Sequence, residues 1–177
     1  MGKTFLLTGH PQSGKTTIIR KVVDELGDLA GGFYTEEIFG AGGRKGFFLI
    51  TLEGQKAILA HKDIQASPTC RIGRYGVDMH VLETLGVGAL QQALKTKKVV
   101  VIDEIGKMEL LSPLFRETVM QAILGPCIIL GTILYKPHPH ADLFKTLAQV
   151  NLREVNLRTR DSLPQELLAE IHKTLQL

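Results

Sequence analysis

Continuous apolar runs alternate along this chain with stretches in which apolar residues recur every three or four positions. Residues 4–8, Thr-Phe-Leu-Leu-Thr, read as a short buried strand. Ile18, Ile19, Val22, Val23 and Leu26 then follow at helical spacing, and Gly27 stops them. Residues 31–39 and 46–52 read as two extended runs joined by the glycine-rich turn 40–43, which predicts a β-hairpin. Residues 57–60 add another short strand, and 61–77 read as a loop carrying Arg71, Arg74 and Tyr75. Asp78 can cap a helix that buries Leu82, Leu85, Ala89, Leu90 and Leu94, with Gly86 and Gly88 weakening it. Residues 99–102 are all apolar, as a parallel strand covered on both faces requires. Ser112-Pro113 is a helix start for the stripe Phe115, Val119, Ala122 and Ile123, and Gly125-Pro126 ends it. The next buried strand falls at 127–130, a helix at 141–148 and a strand at 153–157. Ser162 with Gln165 makes a capping-box pattern for a last helix burying Leu167, Leu168, Ile171 and Leu175.

Strands alternating with helices predict an α/β fold with a mostly parallel sheet flanked by helices. The antiparallel hairpin is expected as an extension on the sheet edge. No repeat or linker divides residues 1–177, so a single domain is expected. The chain has 177 residues, 44% of them hydrophobic, which is ample for one core. The net charge of +3 is scattered, and no Lys/Arg run marks a nucleic-acid surface. Cys70 and Cys127 have no metal-ligand spacing. No signal-peptide core or membrane-spanning run of ~20 apolar residues is visible, so a soluble cytoplasmic protein is expected.

The chemistry concentrates in Gly9-His10-Pro11-Gln12-Ser13-Gly14-Lys15-Thr16. This matches G-x-x-x-x-G-K-[ST] between a strand and a helix, the context a phosphate-binding loop needs. Gly9 and Gly14 let successive N–H groups turn into one concavity at a helix N-terminus. Lys15 can reach β- and γ-phosphates, and the Thr16 hydroxyl can hold Mg²⁺.

The strand at 99–102 ends in Asp103-Glu104. An acid there can hold Mg²⁺ opposite Thr16, the Walker B arrangement, and the next carboxylate can take a proton from an attacking water. Phosphoryl transfer also needs positive charge at the γ-phosphate, for which Lys107, Arg71 and Arg74 are candidates. Thr132 ends the following strand, where a hydroxyl can sense the γ-phosphate or simply cap the strand. His138 and His140 flank Pro139 at a spacing open to metal binding or to a plain surface loop. Glu36 and Glu37 alternate on a strand, so one of them can face the site.

Taken together, the phosphate loop and the strings 32–37 (Gly-Phe-Tyr-Thr-Glu-Glu), 73–78 (Gly-Arg-Tyr-Gly-Val-Asp), 102–110 (Ile-Asp-Glu-Ile-Gly-Lys-Met-Glu-Leu) and 130–133 (Leu-Gly-Thr-Ile) resemble one family. It is that of the small nucleoside-triphosphatases of thermophilic bacteria and archaea, which includes the animal cancer-related nucleoside-triphosphatase. The resemblance implies a P-loop NTPase of RecA-like variant fold and Mg²⁺-dependent hydrolysis of ATP, GTP and other nucleoside triphosphates. Family nucleotide-binding segments carry over onto Gly9, His10, Pro11, Gln12, Ser13, Gly14, Lys15, Thr16 and Thr17, and onto Asp103, Glu104, Gly106 and Lys107. Two departures stand out. Gln12 occupies a position where the family often has glycine, and residues 158–161 read Arg-Thr-Arg-Asp in place of Glu-Asn-Arg-Asp. Two other functions use the same loop: a small P-loop nucleoside or small-molecule kinase, and a nucleotide-gated switch.

Overall fold

The computed structural model describes residues 2–177 as a nine-stranded sheet of order β5-β6-β4-β3-β2-β7-β8-β1-β9. Five strands are parallel: β9 (Val150–Glu154), β1 (Thr4–Thr8), β8 (Ile128–Ile133), β7 (Val99–Ile105) and the first half of β2 (Ala30–Gly40). Beyond them β3 (Gly43–Thr51), β4 (Lys56–His61), β6 (Tyr75–Val77) and β5 (Arg71–Ile72) pair antiparallel. The α/β class and the hairpin extension are therefore as the pattern predicts.

The apolar runs are continuous because each parallel strand feeds two cores. On one face Phe5, Leu7, Val99, Val101, Ile128 and Leu130 pack on α1 (Lys15–Leu26) and α6 (Leu163–Leu175). On the other, Leu6, Val100, Ile102 and Ile129 pack on α3 (Gly88–Thr96), α4 (Pro113–Leu124) and α5 (Pro139–Lys145). Truncating a fully buried anchor such as Phe115 to alanine would cost about 3–5 kcal/mol.

The caps hold in two of three places. Asp78 Oδ1 accepts from Val81 N–H at 3.0 Å and starts α2 (Met79–Val81). Ser112 Oγ accepts from Phe115 N–H at 3.0 Å at the start of α4. Ser162 does not cap α6; its backbone is already helical and its hydroxyl donates to the Thr159 carbonyl. The weakness at Gly86 and Gly88 takes the form of a π turn, Leu82–Val87, between α2 and α3.

Three expectations are corrected. The loop 61–77 contains the hairpin β5–β6, whose Tyr75 is buried. The last strand lies at Val150–Glu154 rather than 153–157, because Thr4 to Thr8 take those partners, and Leu157 is left 78% exposed. The helix at 141–148 starts at Pro139, with the His138 ring accepting from His140 N–H, and ends at Lys145.

Candidate active site

Lys15, Thr16, Asp103, Glu104 and Lys107 meet at the carboxyl ends of the parallel strands, where open α/β sheets bind ligands. The phosphate loop leaves β1, and Asp103-Glu104 end β7, two strands away in the order β7-β8-β1. They face one another across a cavity of about 830 Å³. The loop leads into α1 through Gly14, which has φ 104° and offers no side-chain cap. The first turn of α1 carries no acidic residue either, and the free N–H groups at a helix start favour an anion. Gln12 also adopts a left-handed backbone, φ 63°. That conformation favours glycine, which is the physical reason for the residue type the family often has there.

Gly9, His10, Pro11, Gln12, Gly14, Lys15, Thr16 and Thr17 line the cavity, as do Asp103, Glu104 and Lys107. The Ser13 hydroxyl is buried away from it with no hydrogen-bond partner among the described residues. Gly106 stands behind the wall, against the carboxyls of Glu104 and Glu109. Lys15 Nζ folds onto its own loop, donating to Gly9 O at 2.9 Å and His10 O at 3.0 Å. Burial lowers its pKa, and Glu104 and then Asp103 oppose that. The ammonium is thus held by weak carbonyl acceptors that a phosphate oxygen can replace.

Asp103 is 2% exposed. Its Oδ1 accepts from Thr132 Oγ1 at 2.6 Å, which gives the Thr132 hydroxyl a definite task. Its Oδ2 is buried with no hydrogen-bond partner among the described residues. Burial raises its pKa, while the hydroxyls of Thr132 and Thr16 and the charges of Lys15 and Arg20 pull it down. Glu104 is raised by burial first and by Asp103 second, with Lys15 opposing. An orphaned carboxylate oxygen beside a threonine hydroxyl is the donor set a divalent ion needs when phosphates and water complete its shell. Among the described residues no cluster of three or more His, Cys, Asp or Glu can hold a metal by itself. The His138 and His140 rings meet in a tilted contact, centroids 5.8 Å apart.

The structure separates the two loop arginines from the site. Arg74 donates to Arg44 O at 2.8 Å and to the Tyr75 hydroxyl at 3.0 Å, and does not line the cavity. Arg71 is held by the Ile64 and Arg74 carbonyls. The cations on the cavity wall besides Lys15 and Lys107 are Arg20, Arg44 and Lys136. Arg20 pairs with Glu36 at 3.0 Å and stacks on Tyr34, and Arg44 pairs with Glu37 at 3.1 Å and stacks on Phe47. Both glutamates of β2 thus reach the cavity. Sequence reasoning passed over Arg20, Arg44, Lys136 and Glu109. The arginines come from a helix surface and the start of a strand, where their types carry no motif.

Comparison with known proteins agrees with this geometry. A family model described as NTPase matches residues 4–168. The chain is 43% identical to nucleoside-triphosphatase THEP1 of Thermotoga petrophila, over 93% of this chain and 90% of that protein. It is 42% identical to the human cancer-related nucleoside-triphosphatase, over 75% of this chain and 76% of that one. The crystal structure of THEP1 from the hyperthermophile Aquifex aeolicus superposes with a TM-score of 0.87 at 35% identity, covering 95% of this chain and 98% of that chain. With the phosphate loop, the acidic strand end and the extended sheet all in place, the chain belongs to the NTPase family that includes the THEP1 nucleoside-triphosphatases.

Proposed function

We propose that the chain hydrolyses nucleoside 5′-triphosphates, ATP and GTP among them, to the diphosphate and phosphate, with Mg²⁺ as cofactor. The observation that carries this reading is the Asp103-Glu104 pair facing Lys15 and Thr16 across one cavity, with Asp103 Oδ2 unpartnered among the described residues. Bound Mg²⁺ would neutralise phosphate charge, and Thr16 and Asp103 would hold it. Lys15 exchanges its loop carbonyls for β- and γ-phosphate oxygens. Thr132 fixes the Asp103 carboxylate. Glu104 accepts the proton of the attacking water, a role that its upward-shifted pKa suits. Lys107, on the cavity wall with no ion-pair partner among the described residues, supplies charge to the departing phosphoryl group. Glu104→Gln tests the assignment: nucleotide binding stays, and phosphate release slows by ~10²-fold or more. Wild-type turnover in that variant would place the base elsewhere.

A second reading, phosphoryl transfer to a small acceptor, has one observation in its favour. The cavity continues past Glu104 to Phe47 on β3 and Leu59 on β4. From β1 to β4 is five steps in the sheet order, on the order of 24 Å. Phosphate release measured with and without a nucleoside panel separates the two, since an acceptor that is phosphorylated replaces free phosphate one for one.

A further inference from the structure

One end of the cavity has no task in the hydrolysis described above. Past Glu104 the cavity reaches the antiparallel extension, and its wall turns apolar. Phe47 of β3, Leu59 of β4, Ile72 of β5 and Met108 on the turn after β7 line it. A concave, mostly apolar wall with a few placed polar groups is how small-molecule sites are built. The sheet itself puts these groups there. Phe47 stands opposite Ala60 and Phe48 opposite Ile58, so Leu59 is the extra residue of a β-bulge. A bulge re-aims side chains, and Leu59, though buried, reaches the cavity wall. Phe47 also stands opposite Glu37, which puts those two side chains on one face of the hairpin. Its ring is held edge-on against Tyr75, centroids 5.5 Å apart, and under the Arg44 guanidinium at 4.9 Å.

Charge decides what this end can take. Arg44 is the cation that the extension brings to the cavity wall, among the described residues, and it is already paired with Glu37 at 3.1 Å and bonded to the Tyr75 hydroxyl at 3.1 Å. Arg71 and Arg74 of the neighbouring hairpin donate to the carbonyls of Ile64, Arg74 and Arg44. A phosphate therefore has its seat at Lys15, and the extension end suits an uncharged group. Glu109 is the polar exception in this wall. It is 3% exposed, lines the cavity and makes no ion pair among the described residues. A carboxyl oxygen so placed can accept an N–H from a ligand.

The substrate's own base does not reach this end. Attacking and leaving oxygens lie roughly in line across the γ-phosphate. With that phosphate between Lys15 and Glu104, the rest of the nucleotide departs on the side away from Glu104. We propose that the extension end of the cavity is a second ligand subsite, which takes a free nucleoside by its planar, uncharged base beside a bound nucleoside triphosphate. Phe47, Leu59, Ile72 and Met108 cover the face of the base, and Glu109 accepts an N–H from its edge. This rests on the triphosphate site at Lys15 and Glu104. It names the ligand of the second reading above, and it concerns binding, whether or not the nucleoside is then phosphorylated.

Calorimetric titration of adenosine into the full chain, saturated with Mg²⁺ and a non-hydrolysable ATP analogue, tests the proposal. Adenosine is expected to bind saturably on top of the analogue. Phe47→Ala is expected to weaken adenosine by about tenfold or more, as loss of a base-stacking ring does, and to leave the analogue's affinity unchanged. Purine riboside, which lacks the amino group, is expected to bind about fivefold or more weakly than adenosine, and Glu109→Leu to remove that preference. Adenosine that does not bind, or that Phe47→Ala weakens no more than it weakens the analogue, overturns the subsite. Displacement of adenosine by the analogue also overturns it, since adenosine would then occupy the place of the substrate's own base. Equal binding of the two nucleosides overturns the part given to Glu109. Should Glu109→Leu fail to fold, Phe47→Ala and the two nucleosides on the wild-type chain decide the matter. An analogue that does not bind the wild type refutes the triphosphate reading instead, and adenosine titrated alone into wild type and Phe47→Ala then decides the subsite.

Discussion

The two halves of the sheet obey different rules. In the parallel half, strands β1, β7 and β8 are buried on both faces, and polar side chains survive only where they end the strands, as Thr132 and Asp103 do. In the antiparallel extension, charge and aromatic rings interleave: Arg44 pairs with Glu37, bonds to the Tyr75 hydroxyl and stacks on Phe47. The first half builds chemistry by desolvating a few groups. The second builds a wall by pairing every charge it brings near the cavity. The contrast teaches where activity should be brittle and where it should be tolerant.

The sharpest way to break that contrast is at Lys15. Lys15→Ala should lower turnover by at least ~10²-fold, read by phosphate release, because no other cation on the wall is held by exchangeable carbonyls alone. Normal turnover would mean the phosphate site lies elsewhere.

Next in size is the acid side of the rate profile. The Glu104 pKa is raised, so its base form is lost at a higher pH than an ordinary glutamate would lose it. As pH falls through that value, kcat should drop by about tenfold per unit, with the limb displaced to the alkaline side of a free glutamate. Glu104→Gln should abolish that limb along with most of the rate. A limb in the normal glutamate range would show that Glu104 is solvated in the working complex.

The extension should respond less. Arg44→Ala loses a half-exposed ion pair and two ring contacts, worth about 1 kcal/mol together, and should change kcat by less than about tenfold. A ~10²-fold loss of kcat at unchanged affinity would instead make Arg44 the cation of the transition state, and the division between the halves would dissolve. Arg74→Ala should have the smallest effect, about threefold or less on either constant, since Arg74 supports the Arg44 carbonyl from behind. A kcat-only loss there would restore it to the reacting centre.

The same division explains what could be read from the chain. Val99 to Ile102 announced a doubly buried strand because alternation vanishes when both faces are covered, and the loop from Gly9 to Thr16 is a local backbone device with a fixed spacing. Glu109 was different. It lies in a legible string, yet its burial against Glu104 depends on Gly106 leaving room, which no periodicity reveals. Arg44 was hidden for another reason: its partners Glu37 and Tyr75 are 7 and 31 residues away, and only the pairing of β2 with β3 and the β5–β6 hairpin brings them together. The Ser162 pattern misled because a hydroxyl near a helix start has a second acceptor within reach, the Thr159 carbonyl.

Strand β2 belongs to both regimes. Its burial runs from complete at Ala30 to Phe33 to open at Phe39 and Gly40 within eleven residues. It pairs with β7 from Ala30 to Tyr34 and with β3 from Phe33 to Gly40. One strand therefore carries a gradient of protection against amide exchange. The amides near Ala30 can exchange only when the whole sheet opens, while those past Ile38 exchange through local fraying of the hairpin. Thr35, Glu36 and Glu37 lie at the crossover, and they are also the β2 residues on the cavity wall. The rate at which their amides exchange, with and without nucleotide, is thus a built-in gauge of how far the stiffness of the core reaches into the site.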